Sequence, residues 1–270
     1  MNSSLKSAQM QYQGFLNTNF LWLGAFNGIQ QFQINDTKST SFNLINKPKL
    51  RLGKWVERLV SFQLQQDDSI KILTENLQIQ NNNTTVGEID CILLQNNSPI
   101  HLEIVYKFYL YDSSVGNTEI EHWIGPNRRD SFIEKLNKLK NKQLPLLYSK
   151  HTKPYLDNLK LDISQIQQQV YFKAQLFVPL KDYGNSFPLI NNNCIHGFYI
   201  YPDELNNFIS AKFYIPNKQD WLIEPHTNVN WMLLDHFKIK LEEYLAQQNA
   251  PLCWMKKKNG ELIKFFVVWW

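Results

Sequence analysis

The chain has 270 residues, of which 43% are hydrophobic and only 19% are charged. That much apolar material is enough for one sizeable core or two small ones, and the balance excludes a disordered polyelectrolyte and a coiled coil. The formal net charge of +4 is weak evidence for a nucleic-acid partner, because many neutral-acting enzymes share it. No window contains the roughly 18 uninterrupted apolar residues of a membrane-spanning helix, so we expect no membrane association.

The cysteines and the first residues bear on the cellular compartment. Cys91, Cys194 and Cys253 are odd in number and widely scattered, with no CxxC spacing. This pattern fits neither a disulfide framework nor a zinc site. Residues 1–13 lack the apolar core of a signal peptide. Together these features predict a cytoplasmic protein.

The N-terminal part predicts helices. Residues 10–35 mix apolar and polar positions in a helical manner that ends near Gly28, which indicates one or two helices. We assign residues 1–45 to an N-terminal helical layer. A clearer helix is predicted over residues 49–65, and Gly53 in its first turn would let a sheet or a ligand approach its backbone. The face of this helix comprises Leu52, Trp55, Val56, Leu59 and Gln63.

Three strands are predicted next, at residues 70–80, 86–94 and 99–110. The second and third are joined by Asn96-Asn97, and asparagine readily adopts the positive φ angles of a two-residue hairpin turn. A β-meander of three antiparallel strands therefore follows the helix.

The later elements complete an α/β pattern. A helix is predicted from Asn127, as N-cap with Asp130 as capping-box partner, to Gln143, where Pro145 ends it. A fourth strand is predicted at residues 170–179. The remaining segments predict two short strands (196–201 and 211–216), a helix near 230–248 and a hairpin around Asn259-Gly260.

These elements predict a central mixed sheet that begins with the antiparallel meander and is flanked by helices. Residues 46–180 would form the core of this α/β fold. Residues 181–270 would add a small α+β extension of strands and a helix packed on that core.

The hairpin register brings acidic residues together. A two-residue turn at Asn96-Asn97 pairs Asp90 with Glu103, whose Cβ atoms would be about 4.5–5.5 Å apart. Two opposed carboxylates repel each other unless a cation lies between them, and hard oxygen ligands suit Mg²⁺ or Mn²⁺. The alternative is an ordinary solvent-exposed polar face. Alternation predicts an apolar face with Ile89, Cys91 and Leu93, and an opposite face carrying Glu88, Asp90, His101, Glu103 and Lys107.

Basic residues and one glutamine stand out around the predicted helix at 127–143. Gln143 continues the apolar stripe of that helix and needs a polar partner, although it could simply cap the helix end. A basic stripe would bind a phosphate backbone or form a solvated helix face supported by the Glu134–Lys138 pair. The basic residues are Arg128, Lys135, Lys138 and Lys142, with Arg129 adjacent.

The order of four motifs carries a resemblance to a known superfamily. GKWVE at 53–57, GEID at 87–90, HLEIVYK at 101–107 and QLPLLY at 143–148 resemble the RecB-type branch of the PD-(D/E)XK, restriction-endonuclease-like nucleases. A longer series from RLGKWVE through GEID, HLEIVYKFYL, HWIGPNRRD and KNKQLPLL resembles an uncharacterised bacterial family. That family is catalogued as domain of unknown function eighteen fifty-three.

The nuclease resemblance implies a divalent-metal-dependent phosphodiesterase with a restriction-endonuclease-like core, acting on nucleic acid, with DNA as the expected substrate. It implies Asp90 as the principal ligand of Mg²⁺ or Mn²⁺ and Glu103 as the second. Glu57 would have a metal-linked or water-orienting role, Lys107 would be the catalytic lysine, and Gln143 would close the site.

Lys107 departs from the superfamily pattern, because it follows the acid by four residues instead of two. A bulge could shorten the gap. Without a bulge, the sequence favours the alternative to an active nuclease, which is a catalytically inactive nuclease-fold module that binds nucleic acid or a protein partner.

Overall fold

One mixed sheet of eleven strands runs through the computed structural model, which describes residues 3–35, 42 and 50–270. The strands are β1 (Ala25–Phe26), β2 (Ile29–Gln31), β3 (Ile70–Asn81), β4 (Thr84–Gln95), β5 (Ser98–Tyr111), β6 (Trp123–Ile124), β7 (Gln167–Pro179), β8 (Ile195–Ile200), β9 (Lys212–Tyr214), β10 (Leu252–Lys256) and β11 (Leu262–Val267). The α-helices are α1 (Ser3–Asn17), α2 (Leu52–Leu64), α3 (Phe132–Lys138), α4 (Lys153–Asn158) and α5 (Leu234–Ala246).

The strand order confirms the predicted mixed α/β sheet. It is β3-β4-β5-β7-β8-β11-β10-β9, with β1 and β2 adding a short hairpin beside β7 and β6 pairing with the end of β5. Neighbouring strands are antiparallel from β3 through β4 to β5, whereas β5, β7, β8 and β11 run parallel to one another. The C-terminal strands thus continue the central sheet, and the three segment boundaries drawn from the sequence stay predictions.

The turn between β4 and β5 confirms the predicted hairpin. Asn96 and Asn97 have φ angles of 50° and 64°, and Gln95 pairs with Ser98. The same register continues along the two strands as far as Cys91, which pairs with Leu102. The local turn chemistry therefore determines which residues of the two strands face each other.

The N-terminal part contains one helix followed by a hairpin, so a second helix before Gly28 is wrong. Asn27 and Gly28 have φ angles of 54° and 78°, which is the geometry of a tight turn, and β1 and β2 pair across it. The part of the predicted N-terminal layer at 36–41 and 43–45 lies outside the described residues.

The helix predicted at 49–65 is confirmed as α2, although residues 43–49 lie outside the described part of the chain. Its predicted face is buried at Trp55, Val56, Leu59 and Gln63.

The helix predicted from Asn127 begins later than expected. Its N-cap is Ser131, whose hydroxyl accepts a hydrogen bond from the backbone N–H of Glu134 at 3.2 Å. Asn127 cannot be the N-cap because Arg128, with φ of 55°, turns the chain away from helical geometry. After α3 the chain continues as a π-helical turn at Leu139–Gln143 and a 3₁₀ helix at Leu144–Tyr148.

Helices cover both sides of the sheet. On one side, residues of α1 and α2 pack on Cys91, Leu93 and Leu102. On the other side, α3 packs on β5 and β7 through the predicted stripe, which is buried at Phe132, Leu136 and Leu139. All three cysteines are free and buried. Among the described residues, no helix has both the length and the apolar character needed to cross a membrane.

Gly14 brings α1 against the C-terminal part of the chain. A Cβ atom at Gly14 would stand 2.0 Å from the backbone oxygen of Leu222, whereas one at Gly53 would have no heavy atom within 4 Å. No described part of the sheet therefore approaches Gly53 closely, whereas the approach of a ligand to this exposed first turn of α2 stays a prediction.

We expect Gly14→Ala to lower the free energy of unfolding by about 1–3 kcal/mol, because the methyl group displaces backbone. Gly53→Ala should raise it by roughly 0.5–1 kcal/mol, through helix propensity alone. Urea unfolding of the two variants checks this pair. Equal effects of both substitutions would contradict the packing described for Gly14.

Candidate active site

The candidate site lies where β4 and β5 separate. The last backbone pair is Cys91 with Leu102. Beyond it, the Oδ2 atom of Asp90 accepts a hydrogen bond from the backbone N–H of Ile104 at 2.9 Å. Asp90 and Glu103 are therefore not a backbone pair as the register predicted, but burial and the charge of Glu103 raise the pKa of Asp90, so the two carboxyl groups lie close together. The carboxyl group of Asp90 thus occupies the space between β4 and β5, where a backbone hydrogen bond would otherwise form.

Glu103 is fully buried and both of its carboxyl oxygens have protein partners. The Nε2–H of His101 donates to Oε1 at 3.0 Å, and the side-chain amide of Gln143 donates to Oε2. Gln168 donates to Nδ1 of His101 at 2.9 Å, which leaves the imidazole proton on Nε2. Burial lowers the pKa of His101 to about 4, so this contact is a neutral hydrogen bond and not an ion pair.

Lys135 is turned towards the acids. Its ammonium group donates to Oε1 of Gln143 at 2.6 Å, so Gln143 connects it to Glu103. Burial lowers the pKa of Lys135 to about 8, while the charges of Glu103 and Asp90 act in the opposite direction. The predicted need of Gln143 for a polar partner is thus met on both sides.

The two carboxyl groups ionise with difficulty. Burial, followed by repulsion from Glu103, raises the pKa of Asp90 to about 7. Burial also raises the pKa of Glu103 to about 7, against the attraction of Lys135. Near neutral pH both groups are therefore only partly charged, and a cation placed between them would favour ionisation.

Glu57 lies beside Asp90 but is held by a lysine of its own helix. The ammonium group of Lys54 contacts Glu57 at 2.9 Å, Glu88 at 2.7 Å and the side-chain oxygen of Asn76 at 2.8 Å. Burial raises the pKa of Glu57, the bond to Lys54 lowers it, and the charges of Asp90 and Glu88 raise it further. Glu57 is therefore at the margin of the acidic pair.

Lys107 lies away from the acidic pair. Its ammonium group forms an ion pair with Asp130 in the loop before α3. The parallel register of β5 with β7 is constant from Ile100 to Leu110, so no bulge shortens the distance from Glu103. Four residues of strand correspond to roughly 13 Å.

The basic residues that the sequence assigns to one stripe do not share one face of a helix. Arg128 precedes α3, pairs with Asp112 at 2.7 Å and lies over the ring of Trp270. Arg129 is exposed in the same loop and Lys135 points inward, which leaves the exposed Lys138 and Lys142 as the outward part of the helix.

The polar face of the hairpin is covered instead of presented to solvent. His101 and Glu103 are fully buried, and Leu146 and Leu147 of the following 3₁₀ helix pack on this side with Ile92. Ile89 belongs to the same cluster, so its predicted place beside Cys91 and Leu93 is wrong. Asn76, with φ of 52°, interrupts the β3–β4 pairing opposite Asp90 and alters the strand geometry there.

Two carboxyl groups are the donors that the site offers to a metal ion. In the described part of the chain, no three His, Cys, Asp or Glu side chains are arranged to hold one. Asp90 and Glu103 supply two adjacent hard-oxygen groups, and each oxygen of Glu103 keeps a lone pair beyond its hydrogen bond to His101 or Gln143. This set fits Mg²⁺ or Mn²⁺ held by two carboxylates, with water as the remaining ligands.

Several residues of the site were missed or misplaced by sequence reasoning. Lys54 had a signal, because it lies one helical turn before Glu57. His101 was predicted on the same strand face as Glu103, two residues before it, but without any role for its imidazole in the site. Gln168 had no local signal, because it reaches His101 only through the parallel pairing of β5 with β7.

A comparison with protein families covers nearly the whole chain. The model of a domain of unknown function, DUF1853, matches residues 9–268. The chain belongs to this family. Comparison of this DUF1853 chain with curated proteins and with solved structures gives no match. The matched range includes all residues of the site, and the description of the family assigns no activity to them.

The raised pKa values give the DUF1853 chain a pH-dependent stability. Each acid ionises near pH 4 when unfolded and near pH 7 when folded, so its contribution to the free energy of unfolding is lost as pH rises across that window. We expect Asp90→Asn to reduce the loss between pH 5 and pH 8 by about 2 kcal/mol. Urea unfolding at both pH values checks this, and parallel pH profiles for the two proteins would contradict it.

Proposed function

We propose that the chain is a divalent-metal-dependent nuclease that hydrolyses phosphodiester bonds of nucleic acid, with DNA as the proposed substrate. One observation carries this proposal. Four residues from separate motifs, Glu57, Asp90, Glu103 and Gln143, lie around the point where β4 and β5 separate. A sheet that needed only stability would gain little from a fully buried carboxyl group beside a second, partly buried one.

The element order supports a restriction-endonuclease-like core. Helix α2, the antiparallel strands β3 to β5, helix α3 and the strand β7 follow one another in the chain, and the four strands are neighbours in the sheet. The motif residues lie on α2, β4, β5 and the turn after α3, as the nuclease resemblance implies.

Asp90 and Glu103 are the residues that would hold Mg²⁺ or Mn²⁺. A divalent ion bound there would supply Lewis-acid chemistry and activate a water molecule. His101 and Gln143 orient Glu103, each through one of its oxygens. Such partners fix the position of a carboxylate that binds a metal.

Lys135, and not Lys107, provides the ammonium group next to the acids. Its pKa of about 8 keeps it mostly protonated near neutral pH, and Gln143 holds it in place. A fixed positive charge at this position stabilises negative charge that develops on a phosphate during hydrolysis. Lys135 therefore takes the role that the nuclease resemblance implies for Lys107.

The alternative is the inactive nuclease-fold module. It is favoured by the ion pair of Lys107 with Asp130 and by the protein hydrogen bonds to both oxygens of Glu103. Under this alternative the chain binds nucleic acid or a protein partner and cleaves nothing.

We expect millimolar Mg²⁺ or Mn²⁺ to raise the melting temperature of the wild type, because an ion bound only to the folded chain stabilises it by mass action. Asp90→Asn should remove most of this shift. Asp157→Asn, which changes an acid exposed to solvent in a surface ion pair, should retain it. Differential scanning fluorimetry with and without metal measures all three. Equal shifts in the three proteins would show that any bound metal lies elsewhere.

We expect cleavage of DNA in Mn²⁺ to be abolished by Asp90→Asn and reduced about 10²-fold or more by Lys135→Gln at saturating substrate. Lys107→Gln should reduce the rate under the same conditions less than tenfold, since its charge lies far from the acids. Single-turnover assays on single- and double-stranded oligonucleotides give these rates. A larger loss for Lys107→Gln than for Lys135→Gln would reverse the assignment of the two lysines, and no cleavage by the wild type would favour the inactive module.

A further inference from the structure

The separation of β4 from β5 leaves one side of β5 without a strand partner. Pairing with β4 ends at Leu102, and β6 joins β5 only from Leu110 onward. Among the described residues, no strand pairs with this side in between. The N–H of Ile104 points to this side, where Asp90 accepts it. Backbone groups alternate in direction along a strand, so Tyr106 and Phe108 direct their N–H groups to the same open side.

A cavity of about 280 Å³ borders this open side of β5. Its walls are the first turn of α2 at Gly53, β5 around Lys107, the loop at 126–130 and Trp221. We call it the edge cavity. It lies along the same strand as the acidic pair, roughly 13 Å from Glu103 by strand length.

The lining of the edge cavity is positively charged. Lys107, Arg129 and Lys218 contribute three positive charges, and Asp130 contributes the one negative charge. Lys107 is paired with Asp130, so two positive charges remain without a neutralising acid in the lining. An excess of this size, beside strand N–H groups, suits an anion.

The arrangement suits a phosphate better than a nucleobase. Lys218 lies over the ring of Trp221, with its ammonium group 5.2 Å from the ring centre, and so covers an aromatic face on which a base could stack. The guanidinium group of arginine and the ammonium group of lysine commonly bind phosphate oxygens in proteins.

We propose that the edge cavity binds a backbone phosphate of the nucleic acid. This phosphate belongs to the same nucleic acid strand as the phosphate that is bound at Asp90 and Glu103, but to a different nucleotide. This proposal rests on the nuclease function proposed above. It makes Lys107 a phosphate-binding residue, which accounts for its distance from the acids. It also brings Lys218, from the C-terminal part of the chain, into the substrate site.

The experiment measures binding separately from cleavage. Fluorescence anisotropy of a labelled single-stranded DNA, about twelve nucleotides long, is followed across a salt series in EDTA. Lys218→Gln and Arg129→Gln should each weaken binding several-fold at low salt. Each should also reduce the slope of log K against log salt by about 0.7, the value for one lost phosphate contact on a single strand. Lys240→Gln, an exposed lysine on α5, is the matched control and should match the wild type.

The outcomes separate this proposal from the nuclease function. If both variants keep the wild-type slope, the edge cavity is not the binding site, whether or not the wild type cleaves DNA. If the slope falls but the wild type cleaves nothing in Mn²⁺, the edge cavity stands and the nuclease function fails. A wild type that binds no DNA at low salt overturns both. Thermal unfolding verifies that each variant is folded. If Lys218→Gln does not fold, the salt dependence of binding by Arg129→Gln alone tests the proposal.

Discussion

The hydrogen bond from the backbone N–H of Ile104 to the carboxyl group of Asp90 is the contact on which the rest of the site depends. A backbone N–H in a sheet needs a partner, and here a side chain replaces the neighbouring strand. Because the carboxyl group occupies the space between the strands, β4 diverges from β5 at this point. The divergence brings the two acids together and opens the side of β5 that borders the edge cavity.

The acids are tolerated in the interior because their polar neighbours form a connected network. Glu103 accepts from His101 and Gln143, and these residues are held in turn by Gln168 and Lys135. Each side chain of the network forms a hydrogen bond with the next one, which avoids the free-energy penalty of an unpaired buried polar group. The network joins β5, β7, α3 and the π-helical turn, so the position of the acids is coupled to the packing of a helix on the sheet.

The sequence predicted the elements near the site better than the direction of its side chains. Strand alternation and the Asn96-Asn97 turn were sufficient for the meander and for the register of its second hairpin as far as Cys91 and Leu102, because both are local signals. The Asn27-Gly28 turn was an equally local signal, and overlooking it produced a helix where a hairpin stands. Lys135 was assigned to an outward stripe, because its true direction depends on where α3 begins and on how it packs against β5. Neither fact is contained in residue spacing.

The position of β11 between β8 and β10 affects the order in which the chain can fold. β8 is paired on one side by β7, which precedes it, and on the other by β11, the last strand. At the other end of the chain, Gln30 of β2 pairs with Gln169 of β7. Contacts between residues so distant in sequence form slowly, because long loops must close first. A nascent chain that stops before Leu262 keeps β8 with an open edge, and such an edge readily pairs with other chains. We therefore expect chains whose synthesis stops before β11 to aggregate more readily than the complete chain.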